Sequence, residues 1–175
     1  MKKIIVITIL LVFASCKNKV IQYPVNYENE RGKFMELSQN YNKQILEEDT
    51  ELIEDYIETS GQDFTQTSYG FWISNSGKAS ESMAKSGDYI KFEYEVSDFD
   101  GNTVYSKEEI GVQQIYLGKT HLPRGLHTTL QLIEEGDSAT ALYPSFLAYG
   151  GYGDRNKVGG YVPLIFNVKI IDIKK

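Results

Sequence analysis

Apolar residues follow three different spacings along this chain. Near the start they run almost continuously, from Ile4 to Phe13 with Thr8 alone polar. From Lys33 to Thr59 they recur at helical intervals. Leu37, Tyr41 and Ile45 stand four apart, and Leu52, Ile53, Tyr56 and Ile57 form a second cluster on the same period. No proline or glycine interrupts this stretch, and Ser60-Gly61 is a stop signal. A helix over 33–59 is therefore predicted. From Tyr69 onward the period drops to two. Phe71 and Ile73 begin it, and Ile90, Phe92, Tyr94 and Val96 share one face of a strand over Tyr89 to Val96. Asp100-Gly101 marks a hairpin turn before Thr103-Val104-Tyr105. Gln114 to Leu117 is short and extended. Leu126, Leu130 and Ile133 return briefly to helical spacing, in a helix starting near Pro123, where proline is tolerated. Ala139 to Tyr143 and Leu164 to Ile173 complete the strands. The pattern predicts an α+β domain, a curved antiparallel sheet wrapped around one short helix, with an N-terminal helical extension.

The first apolar run is too short to cross a bilayer, which takes ~20 residues. With Lys2 and Lys3 ahead of it and Ala14-Ser15 behind, it reads as a signal peptide over 1–15. The small residues lead directly into Cys16, the only cysteine, and resemble a bacterial lipobox in which Cys16 is lipidated. Phe13 stands where the lipobox usually has leucine. Ordinary signal cleavage is the alternative. A tether over 16–32 follows, then the helical extension over 33–66 and the main domain over 67–175. The expected location is the cell envelope, with the protein held to a membrane through its lipid.

The formal net charge is −6, and loss of residues 1–15 would remove two lysines and no acid. A chain this acidic, with no basic cluster, is not expected to bind nucleic acid. Glu47, Glu48, Asp49, Glu51, Glu54, Asp55 and Glu58 make the polar face of the long helix acidic. Two readings of that helix stand: a solvated helix packed on its own domain, or a surface for self-association or client holding over 33–59.

Covalent chemistry finds no support. His121 and His127 are the only histidines, and their spacing does not suit a paired metal motif. Asp98 to Asn102 has its glycine two positions early for a calcium loop, so a hairpin turn is the better reading. Gly150, Gly151, Gly153, Gly159 and Gly160 do not open a helix after a strand, so they read as a mobile surface loop rather than a phosphate cradle. No metal or other cofactor is expected.

Three ordered blocks carry a resemblance: Gly118-Lys119, Arg124-Gly125-Leu126, and Leu142-Tyr143-Pro144-Ser145-Phe146-Leu147-Ala148-Tyr149-Gly150. Together they resemble the FKBP-type peptidyl-prolyl isomerases over roughly Tyr69 to Lys175. That family's fold has the layout predicted above. Its reaction is rotation about the bond before proline, whose barrier of ~18–20 kcal/mol comes from amide resonance. An apolar aromatic pocket favours the twisted amide over the planar one, which is differential binding and needs no proton transfer. The resemblance implies that Tyr94, Tyr149 and Phe166 are the catalytic aromatics, with the Tyr149 hydroxyl on the substrate carbonyl and Phe166 at the pocket floor. It implies that Leu122 and Val158 are pocket walls, and that Leu126 replaces the tryptophan common in eukaryotic members.

Three departures accompany it. Pro123 stands where the family usually has isoleucine, and proline has no N–H to donate to the bound peptide. Val104 and Tyr105 stand where Phe-Asp is typical, so an orienting carboxylate is expected to be missing. Gln113 stands where an aromatic wall is usual. The implied activity is a weak isomerase acting on proline-containing exported polypeptides. The alternative is a non-catalytic chaperone or scaffold lipoprotein. The whole layout also resembles the gliding-motility-associated isomerase lipoproteins.

Overall fold

The computed structural model describes residues 27–75 and 82–175. The expected signal peptide, Cys16 and the first part of the tether lie outside the described residues. Helix α1 spans Tyr27–Ser60, so it begins within the stretch expected to be tether. The chain divides into two compact units, residues 1–40 and 41–175. The domain boundary expected at 66/67 thus falls inside one unit, because the second half of α1 packs with the sheet.

In the first unit, Phe34, Met35 and Leu37 are exposed. In the second, strands β1 (Thr65–Gln66), β2 (Trp72–Ile73), β3 (Tyr89–Ser97), β4 (Thr103–Tyr105), β5 (Gln113–Tyr116), β6 (Ser138–Tyr143) and β7 (Leu164–Lys174) form one sheet. The order is β1-β2-β6-β7-β3-β4, every pairing is antiparallel, and β5 also pairs with β3. Strands β4 and β5 flank opposite ends of β3, and the single turn of helix α2 (Lys107–Ile110) lies between them in the chain. Helix α3 (Arg124–Thr129) is the short helix against the sheet. It is shorter than the spacing of Leu126, Leu130 and Ile133 suggested, since turns take over from Leu130.

Register separates the two faces of the sheet. One row runs Ile73, Ala141, Phe166, Val96 and Tyr105 across five strands. It belongs to the large core that also holds Phe71, Phe92, Leu126 and Leu130. The next row, Trp72, Leu142, Ile165 and Ser97, faces the other way. Trp72, Leu142 and Ile165 form a second core with Ile53 of α1, with Tyr56, Ile57, Phe64 and Phe99 packed around it. Both faces of this part of the sheet are therefore buried. Full burial of a side chain such as Ile53 or Leu142 contributes roughly 1.5–3 kcal/mol.

The buried stripe of α1 is Ile45, Asp49 and Ile53, spaced four apart, with Tyr56 and Ile57 half-buried below. This corrects two expectations. Leu37, Tyr41 and Leu52 are exposed, whereas Asp49, read as part of the solvated acidic face, is buried. Its Oδ2 accepts a 2.7 Å hydrogen bond from the Ser145 backbone N–H, which is why a carboxylate is tolerated there.

Candidate functional site

A cleft of about 710 Å³ opens between β3, β5, the segment leading into α3 and the loop after β6. Tyr94 comes from β3, where it follows Phe92 on the core-facing side. Leu122, Pro123 and Arg124 form one wall, and Phe146, Ala148 and Tyr149 form another. Pro123 is the N-cap of α3, at φ −50° and ψ 138°, and its carbonyl accepts from His127 N–H at 3.0 Å. The two walls are tied by the Gly125 N–H, which donates to Leu147 O at 2.8 Å.

Phe166 lies beneath this cleft rather than on its surface. Its ring is fully buried, stacked 5.9 Å from Tyr94 and tilted 6.3 Å from Tyr149 and 4.8 Å from Tyr143. Leu126 is likewise fully buried in the core, and Val158 is nearly so. These three were expected to touch substrate. In the structure all three belong to the main core, and none is among the residues lining the cleft.

The Tyr149 hydroxyl is pushed well above the ordinary tyrosine range, by burial first and then by its neighbours Tyr94, Asp154 and Tyr105. Tyr94 is raised as well, again chiefly by burial. Both phenols stay protonated at neutral pH and can donate a hydrogen bond into the cleft.

The loop after Tyr149, expected from its glycines to be a mobile surface segment, is exposed over much of its length and carries internal backbone hydrogen bonds. Tyr161 N–H donates to Gly150 O at 2.9 Å, and Asp154 N–H to Val158 O at 3.2 Å. Gly153 sits at φ 62° with the Val158 carbonyl oxygen only 2.0 Å from where a Cβ would stand, so the backbone closes there because the side chain is absent.

Asp154 is the site residue that sequence reading missed. It lines the cleft, and its Oδ2 accepts from the Tyr105 hydroxyl. Its Oδ1 accepts from Asn156 N–H at 2.8 Å and Val158 N–H at 2.9 Å. Burial pushes this carboxyl up, but those hydrogen bonds outweigh it and hold Asp154 below the usual carboxylate range. Tyr105 is raised, mainly by its bond to Asp154. Asn156 Nδ2 completes the set with a 3.0 Å bond to the Tyr105 hydroxyl. Lys157 fastens the same loop to β4 and α2, through Val104 O at 3.1 Å and Glu109 at 2.6 Å. Val104 and Tyr105 do not line the cleft themselves.

Comparison with known proteins decides the family. A family model described as FKBP-type peptidyl-prolyl cis-trans isomerase matches residues 80–171. The chain belongs to the FKBP-type peptidyl-prolyl isomerases. Among curated relatives of this family, it is 29% identical over 92 residues to human peptidyl-prolyl cis-trans isomerase FKBP9, covering 52% of this chain and 16% of that protein. It is 33% identical over 86 residues to the probable FKBP-type isomerase FkpA of Neisseria meningitidis, covering 49% of this chain and 31% of the relative. The chain thus spans only a minor part of these relatives' length. Its fold is similar to that of an isomerase from Pseudomonas syringae, with a TM-score of 0.60 at 17% identity, covering 76% of this chain and 96% of that one. It is also similar to FkpA of Escherichia coli, with a TM-score of 0.58 at 18% identity, covering 99% and 82%.

Set against the FKBP-type pattern, the departures take a definite form. Pro123 is at the cleft wall, where it presents no N–H. A carboxylate does line the cleft, that of Asp154 in the glycine-rich loop, and the hydroxyl it accepts from is that of Tyr105. Gln113 does line the cleft, but its amide nitrogen turns back to Ile110 O at 2.9 Å and Gly111 O at 3.3 Å. It therefore props the end of α2 rather than offering that donor to a ligand.

Proposed function

We propose that this chain is an exported, membrane-anchored peptidyl-prolyl isomerase of reduced turnover, acting on proline-containing segments of other exported proteins. The observation that carries the activity is that Tyr94 and Tyr149 both line one cleft and both pack against the buried Phe166. The apolar walls take the proline ring out of water. A neutral Tyr149 hydroxyl is available to the twisted carbonyl, whose partial charge changes as resonance is lost. The reduced rate follows from Pro123, since one lost hydrogen bond is worth about 1 kcal/mol.

Export and anchoring rest on Lys2, Lys3, the apolar run and Ala14-Ser15-Cys16. The narrower reading, a role in assembling a gliding-motility apparatus, rests on the same layout of lipobox, helix and altered isomerase domain. The test of activity is isomerisation of short X–Pro peptides by the full-length protein beside Tyr149→Phe and Tyr94→Phe. Turnover that both substitutions reduce supports the enzyme. A wild type with no turnover that still binds proline peptides supports the second reading, a non-catalytic chaperone, which Pro123 favours. Loss of membrane retention and of fatty-acid labelling in Cys16→Ala supports the anchor, and unchanged labelling overturns it.

A further inference from the structure

A second apolar groove, of about 460 Å³, opens beside the cleft. Its walls are Lys43, Ile45 and Leu46 of α1 on one side and Phe146 and Tyr161 on the other. Phe146 lines both cavities, so the groove and the isomerase cleft adjoin across one side chain. Leu46, Phe146 and Tyr161 are all exposed, at 39%, 42% and 40%. Three large apolar side chains converging around one concavity are more than scattered surface residues require.

The groove is also held in shape. Tyr161 packs edge-on against Tyr41 of α1 at 5.7 Å, and its N–H is tied to Gly150 O. Phe146 follows directly on Ser145, which Asp49 of α1 anchors. The ammonium of Lys43 is engaged by Glu47 at 3.4 Å, leaving its methylene stem to the groove.

We propose that this groove binds an apolar side chain of the same client polypeptide whose proline occupies the cleft. This rests on the isomerase-family reading of the cleft. An extended chain leaving the cleft past Phe146 meets the groove within a few residues, at ~3.3–3.6 Å per residue. The preferred substrate is then an unfolded segment with a large apolar residue near its proline, rather than an isolated X–Pro dipeptide. Helix α1 is in this case part of the substrate site.

The test uses the full-length protein and labelled peptides of about twenty residues with a single X–Pro bond. One set carries a leucine stepped through positions on either side of the proline, and its control carries serine throughout. Fluorescence anisotropy gives binding, and isomerisation of the same peptides gives turnover. Leu46→Glu blocks the groove without touching the cleft. The expected result is a best leucine position that tightens binding about tenfold over serine, an advantage that Leu46→Glu removes while short-peptide turnover is unchanged. No leucine preference at any position overturns the proposal, as does a preference that survives Leu46→Glu. A change of sedimentation coefficient in Leu46→Glu with peptide preference intact assigns the groove to a second copy of the chain, and also overturns it. If the wild type shows no turnover at all, the isomerase reading fails, whereas the anisotropy comparison still decides the groove.

Discussion

The Asp49 carboxylate on α1 accepts the backbone N–H of Ser145, 96 residues further along the chain, at 2.7 Å. Ser145 opens the segment that carries Phe146 and Tyr149, so this one bond couples the N-terminal helix to the wall of the cleft. Burial raises the Asp49 carboxyl above its ordinary value, against the opposing effect of hydrogen bonding from Ser145. A carboxyl raised on folding contributes stability below its unfolded value near 3.8 and loses that contribution as pH rises through its folded value. At neutral pH the buried charge is thus a cost, while the acceptor is needed. Asp49→Asn keeps an acceptor and is expected to match or exceed the wild type in denaturant stability at pH 7, with the difference shrinking toward pH 3. Asp49→Leu strands the Ser145 N–H and is expected to cost about 1–3 kcal/mol. Urea titrations of the three proteins at both pH values check the sign.

Tyr105 and Asp154 act as a unit. Tyr105→Phe removes the bond between them and is expected to lower kcat/KM around fivefold for ~1 kcal/mol, and Asp154→Ala, which also frees the Asn156 and Val158 N–H groups, by a larger factor. The double variant is expected to fall little further. Fully additive losses would show that the two side chains act separately.

Folding lowers the Asp154 carboxyl. Its contribution is therefore present above the unfolded value near 3.8 and is lost as pH falls through the lower folded value. Proteolysis within the 154–158 loop is expected to be slow from neutral pH down to about pH 4 and to quicken below that. In Asp154→Ala cleavage is expected to be fast throughout, with no such step.

Pro123→Ile restores an N–H at the cleft wall while leaving the carbonyl that starts α3. The expected outcome is a rise in kcat/KM on short peptides of roughly fivefold, with stability little changed. An unchanged or lower rate would mean that the cleft does not use a donor at this position.

Gly125 stands where a Cβ would meet the Tyr143 ring at 2.7 Å. Tyr143 is fully buried, hydrogen-bonded to Thr129 at 2.6 Å and packed on Phe166 and Phe71. It has nowhere to move. Gly125→Ala is expected to destabilise by about 1–3 kcal/mol, read as a lower thermal midpoint, and to reduce turnover through displacement of α3.

Much of the sheet was legible because alternation is a local property. Ile90, Phe92 and Val96 are fully buried on the face the period assigned them. The second core was harder to see. Trp72 lies between Phe71 and Ile73, and all three are buried, so a two-sided strand shows no alternation to read. Asp49 was hidden for another reason. An acidic residue in an acidic run reads as solvated, and only the distant Ser145 N–H makes its burial tolerable. Asp154 gave no signal because its partner Tyr105 lies 49 residues away and arrives by tertiary folding. Tyr94, Tyr149, Leu122 and Pro123 were legible through the resemblance, and they do meet in one cleft. The buried placement of Phe166, Leu126 and Val158 is a matter of packing depth, which motif spacing does not encode.

The second core also sets how small this protein can be made. The family-matched segment starts at residue 80, after α1 and after Trp72. A polypeptide trimmed to that segment would lose Ile53, Tyr56, Ile57 and Trp72 together. Leu142 and Ile165 would then face water from the middle of the sheet, on strands whose other side carries the main core. Such a fragment is expected to aggregate rather than behave as a minimal enzyme. For this chain the smallest autonomous folding unit is expected to begin on the helix, upstream of the family-matched segment.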